Sequence, residues 1–226
     1  MTEPSAAFPL SFPPEVAELV RARYAAATVI LEYGSGGSTL LAAGLPGKLI
    51  FSVESDRAWA LALQTRIDLA DLPSPVTIQH ADIGPTGRWG RPLDDSHWHK
   101  YHHYPLRIWS EPYFRQPDLI LIDGRFRAAC LVAACLHVTR PTTVLFDDYT
   151  DRPAYHVVER LVKPVLTVGR MAEFQIGPQG GLQGELQGGL QGGLQGAAPQ
   201  GWPVWAQDLL VELCTRRTIA GPAVNY

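Results

Sequence analysis

Short apolar runs of β type that close on glycine or a carboxylate constrain this chain more than any other feature. TVILEY (28–33) runs into GSGGS, KLIFSVE (48–54) ends on Glu54, and VTIQHA (76–81) precedes Asp82. DLILID (118–123) ends on Asp123, and TTVLFDD (142–148) ends on Asp147 and Asp148. Stretches of helical pattern fill the gaps: STLLAAG (38–44), DRAWALALQTRIDLA (56–70), FRAACLVAACLHV (126–138) and RPAYHVVERLV (152–162). This alternation predicts an α/β fold in three layers, αβα, with a mostly parallel sheet between helices. Near-continuous apolar strands such as DLILI are expected to be buried on both faces. PPEVAELVRARYAAA (13–27) opens on prolines and reads as the helix of an N-terminal extension covering residues 1–27. VLTVGRMAEFQI (165–176) and QDLLVELCT (207–215) read as two further strands, which brings the expected sheet to seven.

A length of 226 residues favours a single domain, 1–226, and 46% hydrophobic residues are enough for a substantial core. The net charge of −3 gives no basis for a nucleic-acid or anionic-membrane surface. Three cysteines, Cys130, Cys135 and Cys214, are too few for a disulfide framework and fit a reducing compartment. Cys130 and Cys135 fall in an apolar helical stretch and read as core. MTEPSAAFPLSFPP has no basic start and no long apolar stretch, so no signal peptide is read. No apolar run approaches the roughly 18 residues of a membrane span. A cytoplasmic location is expected, and the oligomeric state is open.

Two segments break the alternation. Residues 177–203 contain a G-x-L-Q repeat of period four, GGLQGELQGGLQGGLQG, which glycine keeps from forming a stable helix; a flexible surface loop is expected. Residues 83–117, about 35 in number, exceed an ordinary connection and read as a lid or substrate-binding insertion. That segment holds HWHKYHHY (97–104), where a helix would align His99, His102 and His103. No fourth ligand at zinc spacing is evident, so a histidine-rich acceptor loop, or a merely solvated one, is the better reading. Trp89, Trp98, Tyr101, Tyr104 and Trp109 could offer flat surfaces to a ring or sugar, or could seal the core.

The glycine cluster after the first strand suits a small polar ligand. A Walker loop needs a lysine that is absent here. A G-x-G-x-x-G dinucleotide loop is begun by Gly34 and Gly36 and broken by Thr39. Glu32, two residues before Gly34, would oppose a pyrophosphate and suits a ligand with a positive amino group. Glu54 closes the second strand, where a carboxylate can accept hydrogen bonds from both ribose hydroxyls. Asp82 closes the third strand, where it can accept from an exocyclic amine such as adenine N6. Ser35, Ser55 and Ile83 stand beside these residues. Each charge-assisted bond is worth about 1.5–3 kcal/mol, so the set can fix a small cationic adenosine ligand. Taken singly, Glu32 or Asp82 could also be an ordinary strand-end cap.

LEYGSGGS, VESD and HADI resemble the first three motifs of the class I S-adenosylmethionine-dependent methyltransferases, and the resemblance runs from Thr28 to Thr215 apart from the repeat. It implies a Rossmann-like, mostly parallel seven-stranded sheet with an antiparallel last strand. It also implies S-adenosyl-L-methionine as cofactor, bound by Glu32, Gly34, Ser35, Gly36, Glu54, Ser55, Asp82, Ile83 and Asp123. LILIDGRFR and LFDDYTDRP resemble a bacterial methyltransferase-like branch. The expected activity is methyl transfer to an oxygen of a small-molecule acceptor. A non-catalytic binder of the cofactor and a nicotinamide-dependent oxidoreductase are the rival expectations.

Chemistry in open α/β sheets lies beyond the carboxyl ends of the strands. Asp123, Asp147 and Asp148 gather there, and with Arg125 they are the candidate catalytic residues. The three aspartates resemble the acidic set of the cation-dependent O-methyltransferases. That similarity implies Mg²⁺ or another divalent ion, which would acidify an acceptor hydroxyl. The catechol-type lysine after the first aspartate is missing, and Arg125 and Arg127 stand in DGRFR instead. A structural network of the carboxylates with Arg125, Arg127 or Arg152 is the competing reading. The guanidinium forks of Arg125 and Arg127 could equally clamp a carboxylate or phosphate of the acceptor.

Overall fold

The structure, a computed structural model, describes residues 8–178 and 204–215. Seven strands form one sheet: β1 (Val29–Tyr33), β2 (Leu49–Glu54), β3 (Val76–His80), β4 (Leu119–Ile122), β5 (Thr142–Phe146), β6 (Leu166–Val168) and β7 (Met171–Ile176). Their order is β3-β2-β1-β4-β5-β7-β6. The first five strands pair in parallel, and β7 runs antiparallel to both β5 and β6. From β1 the chain winds outward through β2 to β3, then returns to place β4 on the other side of β1. That reversal opens a crevice at the carboxyl ends of β1 and β4, where such sheets bind ligands.

The helices are α1 (Pro14–Ala26), α2 (Gly37–Ala43), α3 (Arg57–Asp68), α4 (His103–Leu106), α5 (Arg127–His137) and α6 (Val204–Thr215). β1, β4 and β5 bury nearly every side chain, as their unbroken apolar runs predict. The sheet separates two cores. α5 is buried almost all round, with Cys130, Leu131, Val132 and Cys135 packed among Phe146, Phe174 and the buried face of α6. On the opposite face Val16, Val20 and Tyr24 of α1 meet Ile30, Ile50 and Leu145. Each such aliphatic side chain contributes about 1.5–3 kcal/mol on burial, so α1 belongs to the body of the fold.

Two expectations are corrected at the C-terminal side. QDLLVELCT is helix α6: Ala206, Leu209, Leu210, Leu213 and Cys214 are the buried residues, and they recur at i, i+3, i+4, i+7 and i+8. VLTVGRMAEFQI supplies both remaining strands, because Gly169 at φ 52 turns the chain and brings Val168 opposite Met171. RPAYHVVERLV coils as a 3₁₀ segment over Pro153–Arg160 rather than an α-helix. The G-x-L-Q repeat lies outside the described residues. Among those described, no helix is long and apolar enough to cross a membrane.

Candidate functional site

The loop leaving β1 is held from below. Gly34, at φ 103, donates its N–H to Val53 O at 2.9 Å, a backbone conformation that a side chain would strain. The Gly36 N–H donates to Thr39 Oγ1 (3.0 Å), and the Thr39 hydroxyl donates to Glu32 (2.5 Å). The Tyr24 hydroxyl donates to the other Glu32 oxygen at 2.5 Å. Glu32 is 0% exposed, which corrects the expectation that it faces an amino group. Burial pushes its carboxyl above the ordinary range, against the hydrogen bonds from Thr39 and Tyr24. It acts through Thr39 and shapes the glycine loop from within the core.

Glu54 closes β2 and joins the two neighbouring loops. One oxygen accepts from the Ser35 N–H (3.2 Å) and hydroxyl (3.0 Å), the other from the Ser55 and Asp56 N–H groups at 2.8 and 2.9 Å. Serine hydroxyls rotate, so the donors they supply can be exchanged for those of a ligand. Ser55 also donates to Gly90 O (2.8 Å), which seats the 83–117 insertion beside Glu54. Trp59, whose N–H is fixed by the Asp56 cap of α3, donates its indole N–H to Ser35 O at 2.9 Å. Phe8 packs edge-on against Trp59, with ring centroids 4.6 Å apart. A Cβ on Gly37 would lie 2.5 Å from Pro9 O, so residues 8–10 lie against the start of α2. Neither Trp59 nor Phe8 stands out in the sequence, because aromatic residues near a helix start read as core.

Asp82 follows β3, with its side chain 49% exposed. Lys100 ion-pairs with it at 2.8 Å, and the Gly84 N–H donates to it at 2.9 Å; Lys100 above all holds its carboxyl down at about 2. Ile83 is buried beneath. The insertion divides between core and surface. Tyr101 and Tyr104 are buried, and the Trp109 indole donates to Tyr33 Oη at 2.8 Å, whereas Trp89 (68%) and Trp98 (52%) stand exposed. His103 Nδ1 lies 3.1 Å from Asp82 O, and His80 Nε2 lies 3.2 Å from Ser55 O. These two rings therefore brace the backbone.

Asp123, Asp147 and Asp148 converge around Arg127, an almost fully buried guanidinium. It lies 3.0 Å from Asp123, 3.1 Å from Asp148 and 3.8 Å from Asp147. Arg170 grips Asp147 through two bonds of 2.9 Å, and Arg152 meets Asp148 at 2.7 Å. This corrects the expected divalent-ion site at Asp123, Asp147 and Asp148: cationic side chains engage the carboxylates an ion would need. Among the described residues, no group of three or more His, Cys, Asp or Glu side chains is disposed to hold a metal ion. Arg170 was illegible in the sequence because its hairpin was. Asp147 is 1% exposed and saturated by Arg170, which ties it to structure rather than to an acceptor. Asp123 keeps 29% of its side chain accessible. Burial, reinforced by Asp147 and Asp148 and opposed by Arg127, raises its carboxyl to about 7.

Arg125 stands apart from this network. Its backbone N–H donates to the Tyr104 hydroxyl at 3.2 Å, and no ion pair among the described residues engages its side chain. Thus DGRFR divides its two arginines: Arg127 pairs with carboxylates, and the partly exposed Arg125 does not among the described residues.

Because β3, β2, β1 and β4 are consecutive in the sheet, Asp82, Glu54, the Gly34–Gly36 loop and Asp123 stand in a row along one edge, at roughly 5 Å per strand. A sheet of this order, with a glycine loop after its central strand, defines a Rossmann-like fold of the methyltransferase type. A methyltransferase-like protein from Silicibacter pomeroyi is 42% identical, with 92% of this chain and 97% of that chain aligned and a TM-score of 0.79. A candidate caffeoyl-CoA O-methyltransferase from Staphylococcus aureus shares the fold at 10% identity, with 75% and 86% of the two chains aligned and a TM-score of 0.50. No protein-family model and no curated protein matches the sequence. On the likeness to the Silicibacter protein, the chain belongs to the class I S-adenosylmethionine-dependent methyltransferases, in a methyltransferase-like branch.

Proposed function

We propose that the chain binds S-adenosylmethionine along the β1–β3 edge and transfers its methyl group to an oxygen of a small-molecule acceptor. The observation that carries this reading is the row of Gly34–Gly36, Glu54 and Asp82 on adjacent strand ends. The row suits an extended ligand with its amino-acid end at the glycines, its ribose at Glu54 and its adenine beside Asp82. A Cβ on Gly36 would meet nothing nearer than Trp59 at 3.9 Å, so this glycine leaves room for close approach of a ligand. Ser35 and Ser55 flank the ribose position through their bonds to Glu54.

The cofactor supplies a methyl group already activated on a sulfonium, so alignment carries most of the catalysis. This chain contributes the alignment and a place for the proton. Held by the glycine loop, Glu54 and Asp82, the cofactor would supply the methyl group to the acceptor oxygen, its sulfur keeping the electron pair of the broken C–S bond. The hydroxyl proton passes to Asp123, whose raised carboxyl suits a base near neutral pH. Residues 83–117 act as the acceptor lid, because they touch Ser55 through Gly90 and Asp82 through Lys100. Calorimetry tests the cofactor assignment directly: adenosylhomocysteine should bind and NAD(H) should not. Tight binding of NAD(H) in place of adenosylhomocysteine would overturn it.

A further inference from the structure

Among the described residues, several arginines have carboxylate partners. Arg127 has three carboxylates, Arg170 has two, and Arg23 has Glu173 at 2.8 Å. Arg125 and Arg91 break the pattern. Both are only partly exposed, and no ion pair or side-chain hydrogen bond between described residues engages either guanidinium. Arg57, also without a carboxylate partner, is exposed to solvent, whereas Arg66, as partly exposed as Arg125 and Arg91, lies in the last turn of α3, away from the strand carboxyl ends. Burial lowers the Arg125 guanidinium below its ordinary range, and the positive charges of Arg127 and Arg91 lower it further, against the Tyr104 and Tyr155 hydroxyls. A guanidinium partly withdrawn from water beside two like charges is costly unless an anion joins it.

The positions of the two arginines are fixed by the backbone. Arg125 follows Gly124, whose backbone abuts Gly34 of the glycine loop. Arg91 follows Gly90, which lies against Ser55 and Glu54. One arginine therefore comes from the β4–α5 loop, and the other from the insertion that closes over the β2 end. We infer that Arg125 and Arg91 form an anion subsite, and that the methyl acceptor is an acidic small molecule whose carboxylate or phosphate seats there. Guanidinium forks match both anions. The subsite holds the acceptor by its charged end and leaves another oxygen free to face the transferred methyl. This rests on the methyl-transfer reading and adds the acceptor's charge to it.

The test loads the protein with adenosylhomocysteine and titrates it with benzoate, inorganic phosphate and the neutral isostere benzamide. Benzoate or phosphate should bind, and benzamide should bind about tenfold or more weakly, as expected for loss of a charge-assisted pair. Arg125→Gln should cost the anion about tenfold or more, Arg125→Lys should recover part of that, and Arg91→Gln should cost less. Because the removed charge has no counter-ion, Arg125→Gln should melt no lower than wild type, which separates the loss from misfolding. Equal anion affinity in Arg125→Gln and wild type, or no anion binding to the loaded wild type, would overturn the subsite. The cofactor's own carboxylate is the other source of an anion. If Arg125→Gln weakens adenosylhomocysteine about tenfold while methylthioadenosine, which lacks the amino-acid end, binds as before, the arginine serves the cofactor and the acceptor assignment falls. Failure of wild type to bind adenosylhomocysteine at all would instead defeat the cofactor reading beneath it.

Discussion

The backbone of Gly34 lies directly against that of Gly124: a Cβ on Gly34 would sit 2.8 Å from Gly124 Cα. This contact joins the loops after β1 and β4 across the crevice, and it sets where Asp123 and Arg125 stand relative to the glycine loop. Gly34 also holds φ 103, so Gly34→Ala meets both a strained backbone and a closed space. The loss should be about 2–4 kcal/mol of unfolding free energy, read by urea denaturation. Gly36→Ala is the contrast, because its nearest neighbour would be Trp59 at 3.9 Å. It should fold normally and lose adenosylhomocysteine affinity. A Gly36→Ala variant that binds as wild type would place the ligand elsewhere.

Glu54 should matter to binding more than to folding. Glu54→Gln keeps one oxygen as acceptor for either the Ser35 donors or the Ser55 and Asp56 N–H groups, turns a donor amide towards the other pair, and removes the charge that would hold two ribose hydroxyls. Adenosylhomocysteine affinity should fall by about 2–3 kcal/mol in calorimetry. An unchanged dissociation constant would remove Glu54 from the cofactor site and leave it as a loop brace.

What could be read beforehand followed from local pattern. The strand ends carrying Gly34, Glu54, Asp82 and Asp123 were legible because period and burial coincide there, and parallel order lines them up. Glu32 was misread because its partners, Tyr24 in α1 and Thr39 in α2, meet it only once three elements pack together. The same applies to Asp147 and Arg170, 23 residues apart and joined by the turn of an unrecognised hairpin. QDLLVELCT, the sequence of α6, reads as a strand because its short apolar run carries β-branched and aliphatic residues. Its i, i+3, i+4 burial decides for the helix.

The Asp147–Arg170 pair predicts how the acidic cluster responds to substitution. Asp147 is buried and accepts two guanidinium bonds, so Asp147→Asn leaves Arg170 and Arg127 without a charge they now share. Breaking a buried pair from one side costs about 3–5 kcal/mol; Arg170 is partly exposed and keeps Asp148, so the lower end is expected here. Thermal melts of the variant should show that loss. EDTA should leave wild-type melting and adenosylhomocysteine binding unchanged. A melting temperature that drops with EDTA and is restored by Mg²⁺ would reinstate an ion at these carboxylates.

Asp123 gives the pH dependence its sign. Its folded carboxyl is raised to about 7, above the roughly 3.9 of an unfolded aspartate. The folded protein therefore holds this proton more tightly than the unfolded chain. The stabilisation it brings is fully present below about pH 4, and it is lost as pH rises towards 7. Its neighbours decide how far that goes: Arg127 at 3.0 Å favours the charged form, whereas burial and the two other carboxylates favour the neutral one. Asp123→Asn has no proton to lose. Melting temperatures followed from pH 4 to 8 should thus show wild type declining relative to Asp123→Asn across that window. A constant difference between the two curves would mean that Arg127 keeps Asp123 ionised throughout. The same ionisation governs catalysis with the opposite preference, because a base must be deprotonated to accept the acceptor's proton. Turnover should rise with pH through about 7 in wild type and lose that rise in Asp123→Asn. On the proposed reading, the carboxylate that takes the acceptor's proton is the one whose ionisation costs the fold, the usual position of a residue tuned for proton transfer rather than for stability.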